Sequence, residues 1–336
     1  MKFKSKIIGT GHYVPGRVVT NDDLSTMMET SDEWIVERTG INERRWFEAG
    51  KDTVSKMGTA AARNALASAG VEANEVDFIV FATLSPDYYF PGCGVLVQEQ
   101  LGIDTVGALD VRNQCSGFLY GLSIADQFIK TGMYKTILVI GSEIQSNIMD
   151  KSSNGRSMAV IFGDGAGAVL VQATEEEDRG ILSTHLHSEG QHALELTVKE
   201  PSTLHNEQIL DRLIAGESKE DLYPYMNGPF VFKHAVVRFM EVIGEALDAN
   251  QMTTDEIDLF IPHQANLRIA QYVQKKLQLA DEQVWNNIQR YGNTTAASIP
   301  IALSEANDAG KLKTGDILCL AAFGSGFTWA SALIRW

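Results

Sequence analysis

Three side chains that lie far apart in the sequence have types and settings that suit covalent chemistry. Cys115 stands in ALDVRNQCSGFLYGL, where a strand-like run ends and a helical run of small and apolar residues begins. A thiol at a helix N-terminus lies at the positive end of the helix dipole, which lowers its pKa and raises its thiolate fraction. His263 in DLFIPHQANLRIA and Asn293 in YGNTT together offer two hydrogen-bond donors to a thioester carbonyl oxygen, which is what stabilising an enolate requires. The three residues therefore predict a cysteine nucleophile assisted by an imidazole and an amide.

Each of these residues also has an ordinary structural interpretation. A free cysteine is most often a buried packing residue, and Cys93 in PGCGV and Cys319 in ILCLAAF fit that interpretation better than Cys115 does. A single histidine is structural more often than not, and an asparagine commonly stabilises a turn. Only the combination of the three residues favours chemistry.

The glycine-rich run AAFGSGFTWASA could supply further electrostatic stabilisation. Its small residues follow a buried strand and let the backbone approach a ligand, so we expect the N–H groups of Ser325 and Cys115 to form an oxyanion hole. An ordinary glycine turn between two strands is compatible with that role. A second glycine-rich run, IFGDGAGAVLV, leads into a strand-like segment instead of a helix, so no dinucleotide site is predicted.

One helical segment, Ala265 to Leu279, has a basic face. It presents Arg268, Tyr272 and Lys275 at helical spacing, with Lys276 adjacent. In so acidic a protein, this face is a candidate docking surface for an anionic carrier. A solvated amphipathic helix would have the same periodicity.

Composition excludes several other classes of protein. The chain has 336 residues, of which 44% are hydrophobic, and its formal net charge of -15 opposes general affinity for nucleic acid or anionic membranes. Its three cysteines lack metal-ligand spacing, so they predict neither a disulfide framework nor a metal site. The first residues lack a secretory apolar run, and no window reaches the roughly 18 to 20 apolar residues of a membrane span. We therefore expect a cytoplasmic protein.

Alternating helices and strands must position the candidate residues. Helical patterns at 55–69 and 117–131 precede strand-like runs at 76–82 and 137–140, an alternation that predicts an α/β fold with parallel strands. In such sheets, the loops past the carboxyl ends of the strands form the ligand crevice. Residues as distant in sequence as the cysteine, histidine and asparagine can converge there.

The chain also contains an internal repeat. ALASAGVEANEVDFIV, which starts at Ala65, aligns without gaps with ALDANQMTTDEIDLFI, which starts at Ala246, at an offset of 181 residues. ILVIGSE at Ile137 aligns with ILCLAAF at Ile317 at an offset of 180 residues. Two helix-then-strand units at nearly one spacing indicate two homologous α/β halves.

We place the boundary between these halves at residue 175. The first half, 1–175, carries the nucleophile, and the second half, 176–336, carries the histidine and the asparagine. A polar excursion at 188–228 interrupts the second half near the expected entrance of the site.

Seven stretches together resemble the beta-ketoacyl-acyl carrier protein synthase III family of condensing enzymes: TSDEWIVERTGINERR, CSGFLYGL, GSE, IFGDGAGA, PHQANLRI, YGNTTAAS and FGSGFTW. The resemblance extends from the first predicted strand to the last. Chalcone synthase relatives also use a Cys, His and Asn but differ around these positions, and elongating synthases use two histidines. The resemblance implies a thiolase-like fold, with the two halves in a five-layered αβαβα arrangement, and an obligate homodimer.

The resemblance further implies a decarboxylative Claisen condensation. In that reaction Cys115 takes an acyl group from acyl coenzyme A, and His263 and Asn293 hold the malonyl thioester of an acyl carrier protein while it decarboxylates. The resulting carbanion attacks the acyl-enzyme and gives a beta-ketoacyl-acyl carrier protein, which initiates fatty acid synthesis. Coenzyme A thioester is a substrate here, and no cofactor is implied.

Binding residues are also implied by the resemblance. Trp34 and Arg156 match positions that sandwich the coenzyme A adenine, and Arg38 matches a residue near its phosphates. Phe90 in DYYFPG matches a residue that reaches across the dimer to close the partner's acyl pocket. Basic positions implicated in carrier-protein or pantetheine approach are matched by Lys233, Arg268, Lys275 and Lys276.

Two departures from the family affect the acyl tunnel or its mouth. Asn113 and Gln114 precede the nucleophile where two small residues are usual, and the excursion at 188–228 is longer than expected. A specialised ketosynthase III-like enzyme or an acyltransferase of secondary metabolism, acting on a longer acyl chain, is therefore the alternative enzyme. A catalytically silent partner subunit is disfavoured because the cysteine, histidine and asparagine are all retained.

Overall fold

The structure is a computed structural model that describes residues 3–204, 211, 214–216 and 219–336. Its strands are β1 (Lys4–Tyr13), β2 (Arg17–Thr20), β3 (Glu43–Trp46), β4 (Phe78–Ala82), β5 (Gly107–Val111), β6 (Thr136–Glu143), β7 (Gly165–Thr174), β8 (Gly180–Ser188), β9 (Leu196–Thr197), β10 (Tyr225–Met226), β11 (Leu259–Pro262), β12 (Ile317–Gly324) and β13 (Thr328–Arg335). The α-helices of the described residues are α1 (Asn21–Ser25), α2 (Asp32–Thr39), α3 (Val54–Ala69), α4 (Cys93–Leu101), α5 (Gly117–Lys130), α6 (Arg156–Ala159), α7 (Gly228–Ala249), α8 (Leu267–Leu277), α9 (Ile288–Tyr291) and α10 (Ser298–Asp308).

Two mixed sheets form the body of the protein. The first has the order β1-β7-β6-β4-β5 and the second the order β11-β12-β13-β8. Only the β4–β5, β4–β6 and β11–β12 pairs are parallel. The expectation of parallel strands is confirmed for β4 and β6, the two strands whose sequence pattern suggested it, and was wrong as a description of the remaining pairs, which are antiparallel. In the second sheet the reason is visible, because β12 and β13 are joined by only three residues, and so short a connection permits only antiparallel pairing.

Helices and sheets alternate in five layers. One outer core packs α3 and α4 against the first sheet. A central core packs α5 and α10 between the two sheets, and a second outer core packs α7 and α8 against the far side of the second sheet. The predicted five-layered αβαβα arrangement is thus confirmed.

The sequence repeat corresponds to a structural repeat with a physical cause. In the first half, the Asp77 carboxylate accepts a hydrogen bond from the Thr136 N–H at 3.0 Å, which ties the start of β6 to the segment before β4. In the second half, Asp258 accepts from the Ile317 N–H at 2.7 Å and ties β12 to the segment before β11 in the same way. The recurring aspartate therefore fixes the same strand register in both halves.

The boundary predicted at residue 175 stays a prediction, and β7 of the first sheet and β8 of the second flank it. Within the excursion 188–228, β9 and β10 pair with each other as a small separate sheet. Positions 205–210, 212–213 and 217–218 of this excursion lie outside the described residues. Among the described residues, no helix has both the length and the apolar character that crossing a membrane requires.

Candidate active site

Cys115, His263 and Asn293 line one cavity of about 530 Å³, which we call the outer cavity. Cys115 lies in a 3₁₀ turn that follows β5, and His263 follows the last residue of β11. Asn293 lies two residues before the start of a second 3₁₀ turn, Thr295–Ala297. All three therefore lie beyond strand ends or at helix starts, and the fold brings together the residues that the sequence singled out.

The turns at Cys115 and beyond Asn293 are structural equivalents. Gln114 has a φ of 45° and Thr295 a φ of 48°, and the two positions are 181 residues apart, which is the offset of the sequence repeat. Positive φ is uncommon for residues other than glycine and is costly for a β-branched one. Both halves therefore use the same strained turn to start the central helices α5 and α10, and the two turns face the same site.

Gly324 makes the close packing around the nucleophile possible. A Cβ atom at this position would lie only 3.0 Å from both the Cβ and the backbone N of Cys115. Any side chain larger than hydrogen would therefore displace the nucleophile. Within FGSGFTW, Gly324 is therefore the position at which steric contact with Cys115 favours glycine.

The nucleophile is more deeply buried than the sequence suggested. Only 9% of Cys115 is exposed. Burial, with a smaller contribution from the charge of the nearby Glu143 carboxylate, raises the pKa of its thiol to about 12. The expectation that the start of α5 lowers this pKa was therefore wrong for the free protein, because loss of hydration outweighs the favourable helix dipole. At neutral pH the thiol is protonated.

The motif PHQAN fixes the histidine through the hydrogen bonds of its neighbours. The His263 N–H donates to the carbonyl of Ala321 on β12 at 2.8 Å. The buried Gln264 side chain donates to the carbonyl of Pro262 at 2.7 Å and accepts from the backbone N–H groups of Asn287 and Ile288, each at 3.1 Å. The segment that carries the imidazole is therefore bonded on both sides.

The His263 ring is buried and neutral. Its Nδ1 lies 2.6 Å from the Ser298 hydroxyl, and its buried Nε2 has no hydrogen-bond partner among the described residues. Burial lowers the pKa of His263 to about 3, because a charged imidazole would lose its hydration. A neutral ring with an uncommitted nitrogen thus lines the outer cavity.

The amide of Asn293 is held in one orientation. Its Oδ1 accepts a hydrogen bond from the Thr295 N–H at 2.8 Å, so its Nδ2 is the free end. Its backbone N–H donates to the Ile161 carbonyl at 2.9 Å, and its carbonyl accepts from the Gly163 N–H at 3.0 Å. No described residue accepts a hydrogen bond from Nδ2, which leaves this donor available to a substrate.

Ser325 follows Gly324 and therefore lies beside Cys115. Its hydroxyl donates to the carbonyl of Leu196, at the start of β9 in the excursion. Its backbone N–H donates to no described residue, so it is available to a ligand, as expected for an oxyanion hole. That role stays a prediction.

Cys115 also borders a second space of about 170 Å³, which we call the inner cavity. Most of its wall is apolar, and Arg112, Gln114 and Gln145 contribute polar groups. Its main apolar side chains are Leu84, Ile148, Met149, Met158, Phe162 and Leu196. The nucleophile thus stands between an outer cavity that holds the histidine and asparagine and a mainly apolar inner one.

The three residues predicted to hold coenzyme A are close together. The Arg38 and Arg156 guanidinium carbons lie 4.5 and 4.6 Å from the ring centroid of Trp34. Trp34 and Arg38 line the outer cavity, whereas Arg156 does not line it and instead packs on the Trp34 ring. The Arg156 guanidinium also donates a hydrogen bond to the Glu29 carbonyl at 2.6 Å. The structure therefore brings these three residues together beside the cavity that also contains the nucleophile.

The predicted docking residues divide into two groups. Arg268 lines the outer cavity, and Arg268 and Lys275 line a surface groove beside it, which we call the basic groove. Lys276 is exposed and packs on Tyr272, and Lys233 is exposed on α7; neither lines this groove. None of the four forms an ion pair within the described part of the chain, and no described carboxylate lines the basic groove or the outer cavity.

Phe90 does not reach the site of its own chain. It is 82% exposed, beside the exposed Tyr88 and Tyr89. It lines neither cavity at Cys115. Closing an acyl pocket with Phe90 would require a second copy of the chain.

Sequence reasoning missed Ser298 and the structural reason for IFGDGAGA. Ser298 is the last residue of YGNTTAAS, but its contact with the histidine spans 35 positions and has no sequence signal. Asp164 of IFGDGAGA is buried and accepts from the N–H groups of Gln145, Ser146 and Phe47 at 2.7 to 2.8 Å. The buried aspartate of this run therefore has a structural role, because it joins two other backbone segments near the site by hydrogen bonds. Among the described residues, no cluster of three His, Cys, Asp or Glu side chains could hold a metal ion.

Comparisons with known proteins identify similar sequences and folds. Residues 109–190 match the family described as 3-Oxoacyl-[acyl-carrier-protein (ACP)] synthase III, and residues 247–336 match its C-terminal family. The beta-ketoacyl-[acyl-carrier-protein] synthase III of Rhodospirillum centenum is 50% identical over 340 residues, covering all of both chains. The crystal structure of 3-oxoacyl-[acyl-carrier-protein] synthase III from Aquifex aeolicus superposes with a TM-score of 0.89 at 44% identity, covering 99% of this chain and 100% of that one. The corresponding synthase III from Thermus thermophilus gives 0.90 at 39% identity, covering 98% and 99%.

Proposed function

This chain belongs to the 3-oxoacyl-[acyl-carrier-protein] synthase III family, and from that premise we propose how its own residues carry the reaction. The protein is an acyl-transferring condensing enzyme that initiates fatty acid synthesis by condensation. We assign the nucleophile to Cys115 and the donors for the second half-reaction to His263 and Asn293. The observation that carries this assignment is their convergence on one cavity, with the Nε2 and Nδ2 atoms uncommitted.

In the first step, the Cys115 sulfur attacks the carbonyl carbon of acyl coenzyme A. The tetrahedral intermediate places its negative charge on the former carbonyl oxygen, and the N–H groups of Cys115 and Ser325 are the proposed donors to it. The bond to coenzyme A sulfur then breaks, and the proton of the Cys115 thiol ends on that sulfur. Because the thiol starts protonated, no charge has to be buried before the substrate arrives.

In the second step, the malonyl group of the acyl carrier protein loses carbon dioxide. The electron pair of the broken C–C bond gives an enolate whose oxygen needs hydrogen-bond donors, and His263 and Asn293 supply them in our assignment. The α-carbon of this enolate attacks the acyl-Cys115 carbonyl, and the Cys115 sulfur leaves as a thiolate that takes up one proton from solvent water. A neutral imidazole suits this role because burial holds the pKa of His263 near 3.

We further propose that the carrier protein docks at the basic groove. Electrostatic steering depends on local charge, and the groove bears Arg38, Arg268 and Lys275 on a chain whose net charge is -15. Coenzyme A would use the same entrance, with its adenine near Trp34 and Arg156. Both substrates then reach Cys115 through the outer cavity.

A homodimer is part of the proposal. Within the single chain, a loop formed by Tyr88, Tyr89 and Phe90 is exposed to solvent. Strand β5 forms one edge of the first sheet, and its Leu109 is 38% exposed. Exposed aromatic clusters beside a free strand edge favour association. A second copy would cover them and could bring Phe90 to the neighbouring site.

The inner cavity favours a short starter over the long chain of the alternative enzyme. A cavity of about 150 Å³ accommodates benzene, with six heavy atoms, or about 25 Å³ per atom. The inner cavity of about 170 Å³ therefore holds about seven heavy atoms. A hexanoyl group, with six carbons and one oxygen, is the expected upper limit.

The decisive experiment follows the mass of the enzyme after mixing with an acyl coenzyme A. One acyl group should appear on each chain, and peptide mapping should locate it on Cys115. Cys93→Ser and Cys319→Ser are matched controls, since both thiols are fully buried, and both variants should still load. Label on either of those cysteines, or loading that survives Cys115→Ala, would refute the assignment.

A further inference from the structure

We propose that Ser298 is a positioning residue that holds the His263 ring in the tautomer with its proton on Nε2. This inference rests on the proposed function, because it explains how a neutral histidine presents a donor to the enolate. Ser298 itself touches no substrate in this scheme. It acts through the far side of the imidazole.

The geometry fixes which atoms meet. Ser298 is the first residue of α10 and is 1% exposed, and His263 is 2% exposed. The Ser298 Oγ and the His263 Nδ1 are 2.6 Å apart, which is a strong hydrogen-bond distance. Either atom could donate, so the distance alone does not decide where the ring proton lies.

The other contacts of the hydroxyl decide its direction. The backbone N–H of Gln264 points to the same Ser298 oxygen at 3.4 Å, so that oxygen already receives one hydrogen. No other described residue accepts a hydrogen bond from the Ser298 hydroxyl, and His263 Nδ1 is its one available acceptor. A buried hydroxyl proton without an acceptor is costly, so the hydroxyl donates to Nδ1. The ring proton of a neutral imidazole then belongs on Nε2.

This tautomer matters at the enolate oxygen. With a proton on Nε2, His263 donates a hydrogen bond to the developing negative charge beside the Asn293 amide. With the proton on Nδ1, Nε2 would present a lone pair to that charge and repel it. The Ser298 hydroxyl therefore selects the ring form that supports decarboxylation, while loading of Cys115 does not depend on it.

The tautomer can be measured directly on the free wild-type enzyme. Nitrogen NMR of protein labelled with ¹⁵N-histidine distinguishes protonated from unprotonated ring nitrogens, and the signals of His263 are the ones absent from His263→Ala among the seven histidines. We expect a protonated Nε2 and an unprotonated Nδ1. A proton on Nδ1 overturns the inference whatever the activity of the enzyme.

Ser298→Ala tests the consequence, and the chain offers a matched control. Ser304 lies on the same helix, is equally buried, and has its Oγ 2.9 Å from Nδ1 of another histidine, His12. Ser298→Ala should slow malonyl decarboxylation about tenfold, the factor that one net hydrogen bond is worth, and should leave acylation of Cys115 unchanged. Ser304→Ala should leave both half-reactions unchanged.

A positioning role for Ser298 differs in its effects from a purely structural one. Equal losses in the two serine variants would mean that helix stability alone is affected, and would overturn the inference. So would equal losses of acylation and decarboxylation in Ser298→Ala. If Ser298→Ala does not fold, the wild-type tautomer still decides. Failure of wild-type Cys115 to load would instead refute the proposed function, a result that is distinguishable because the tautomer is read without substrate.

Discussion

The length of acyl chain that the enzyme accepts should depend on the side chains that separate the inner cavity from a neighbouring surface groove. Met158, Thr197 and Pro224 line both the inner cavity and a surface groove of about 550 Å³ that lies against the excursion. Residues shared by two spaces lie between them. Met158→Ala should therefore join the inner cavity to the groove, whereas Met149 lines the inner cavity alone and provides a matched control.

The expected sizes follow from the cavity. Met and Ala side chains differ by three heavy atoms, so Met149→Ala should extend the accepted acyl group from about seven to about ten heavy atoms, at about 25 Å³ per atom. Met158→Ala should remove the upper limit, because a longer chain can pass into the groove. The two methionines are 6% and 5% exposed, so each truncation should cost about 2 to 5 kcal/mol of unfolding free energy. Because the two variants should lose similar amounts of stability, a difference between their chain-length limits cannot be attributed to destabilisation.

The assay is the rate of Cys115 acylation across a ladder of straight-chain acyl coenzyme A substrates from two to sixteen carbons, read by intact mass below the melting temperature of each variant. Wild type should fall off beyond hexanoyl, Met149→Ala beyond nonanoyl, and Met158→Ala should load dodecanoyl and longer chains. The reasoning is refuted if the two variants share one limit. Wild-type loading of long chains as fast as short ones would refute the size argument and favour the alternative enzyme.

Three further outcomes are expected. His263→Ala and Asn293→Ala should each reduce condensation on the order of 100-fold while Cys115 still acylates, the loss expected for an oxyanion donor; equal loss of both half-reactions would contradict this division. Arg268→Glu should raise the KM for the malonyl carrier protein and flatten the salt dependence of that KM, while acylation from acyl coenzyme A stays nearly normal. Lys311→Glu makes the same charge change on an exposed residue that lines neither the outer cavity nor the basic groove, and it should have no such effect. Alkylation of the free Cys115 thiol should rise about tenfold per pH unit up to pH 9, because only the thiolate reacts and burial raises its pKa to about 12; a plateau below pH 8 would show a lowered pKa instead.

Much of the fold could be predicted from local pattern. The helix predicted at 55–69 is α3 (Val54–Ala69), and the strand predicted at 137–140 lies within β6 (Thr136–Glu143). Periodicity and small-residue content decide such elements within about ten residues, so they are legible in sequence. The parallel direction predicted from the runs 76–82 and 137–140 is confirmed by the β4–β6 pair. The antiparallel β12–β13 pair, whose strands are linked by three residues, lies outside that pattern.

For the candidate site too, some features were determined by the sequence and others only by the tertiary structure. Sequence by itself determined which chemistry was available, because a thiol, an imidazole and an amide have fixed reactivities, and the helix–strand alternation predicted that they could converge past the ends of strands. Only the tertiary structure decided how deeply Cys115 is buried and hence that its pKa is raised. Only the structure brought Ser298 to Nδ1 of His263, and only the structure put Met158 between two spaces. Burial and hydrogen-bond direction depend on atoms contributed by segments that are tens to hundreds of positions apart, and these atoms become neighbours only when the two halves pack.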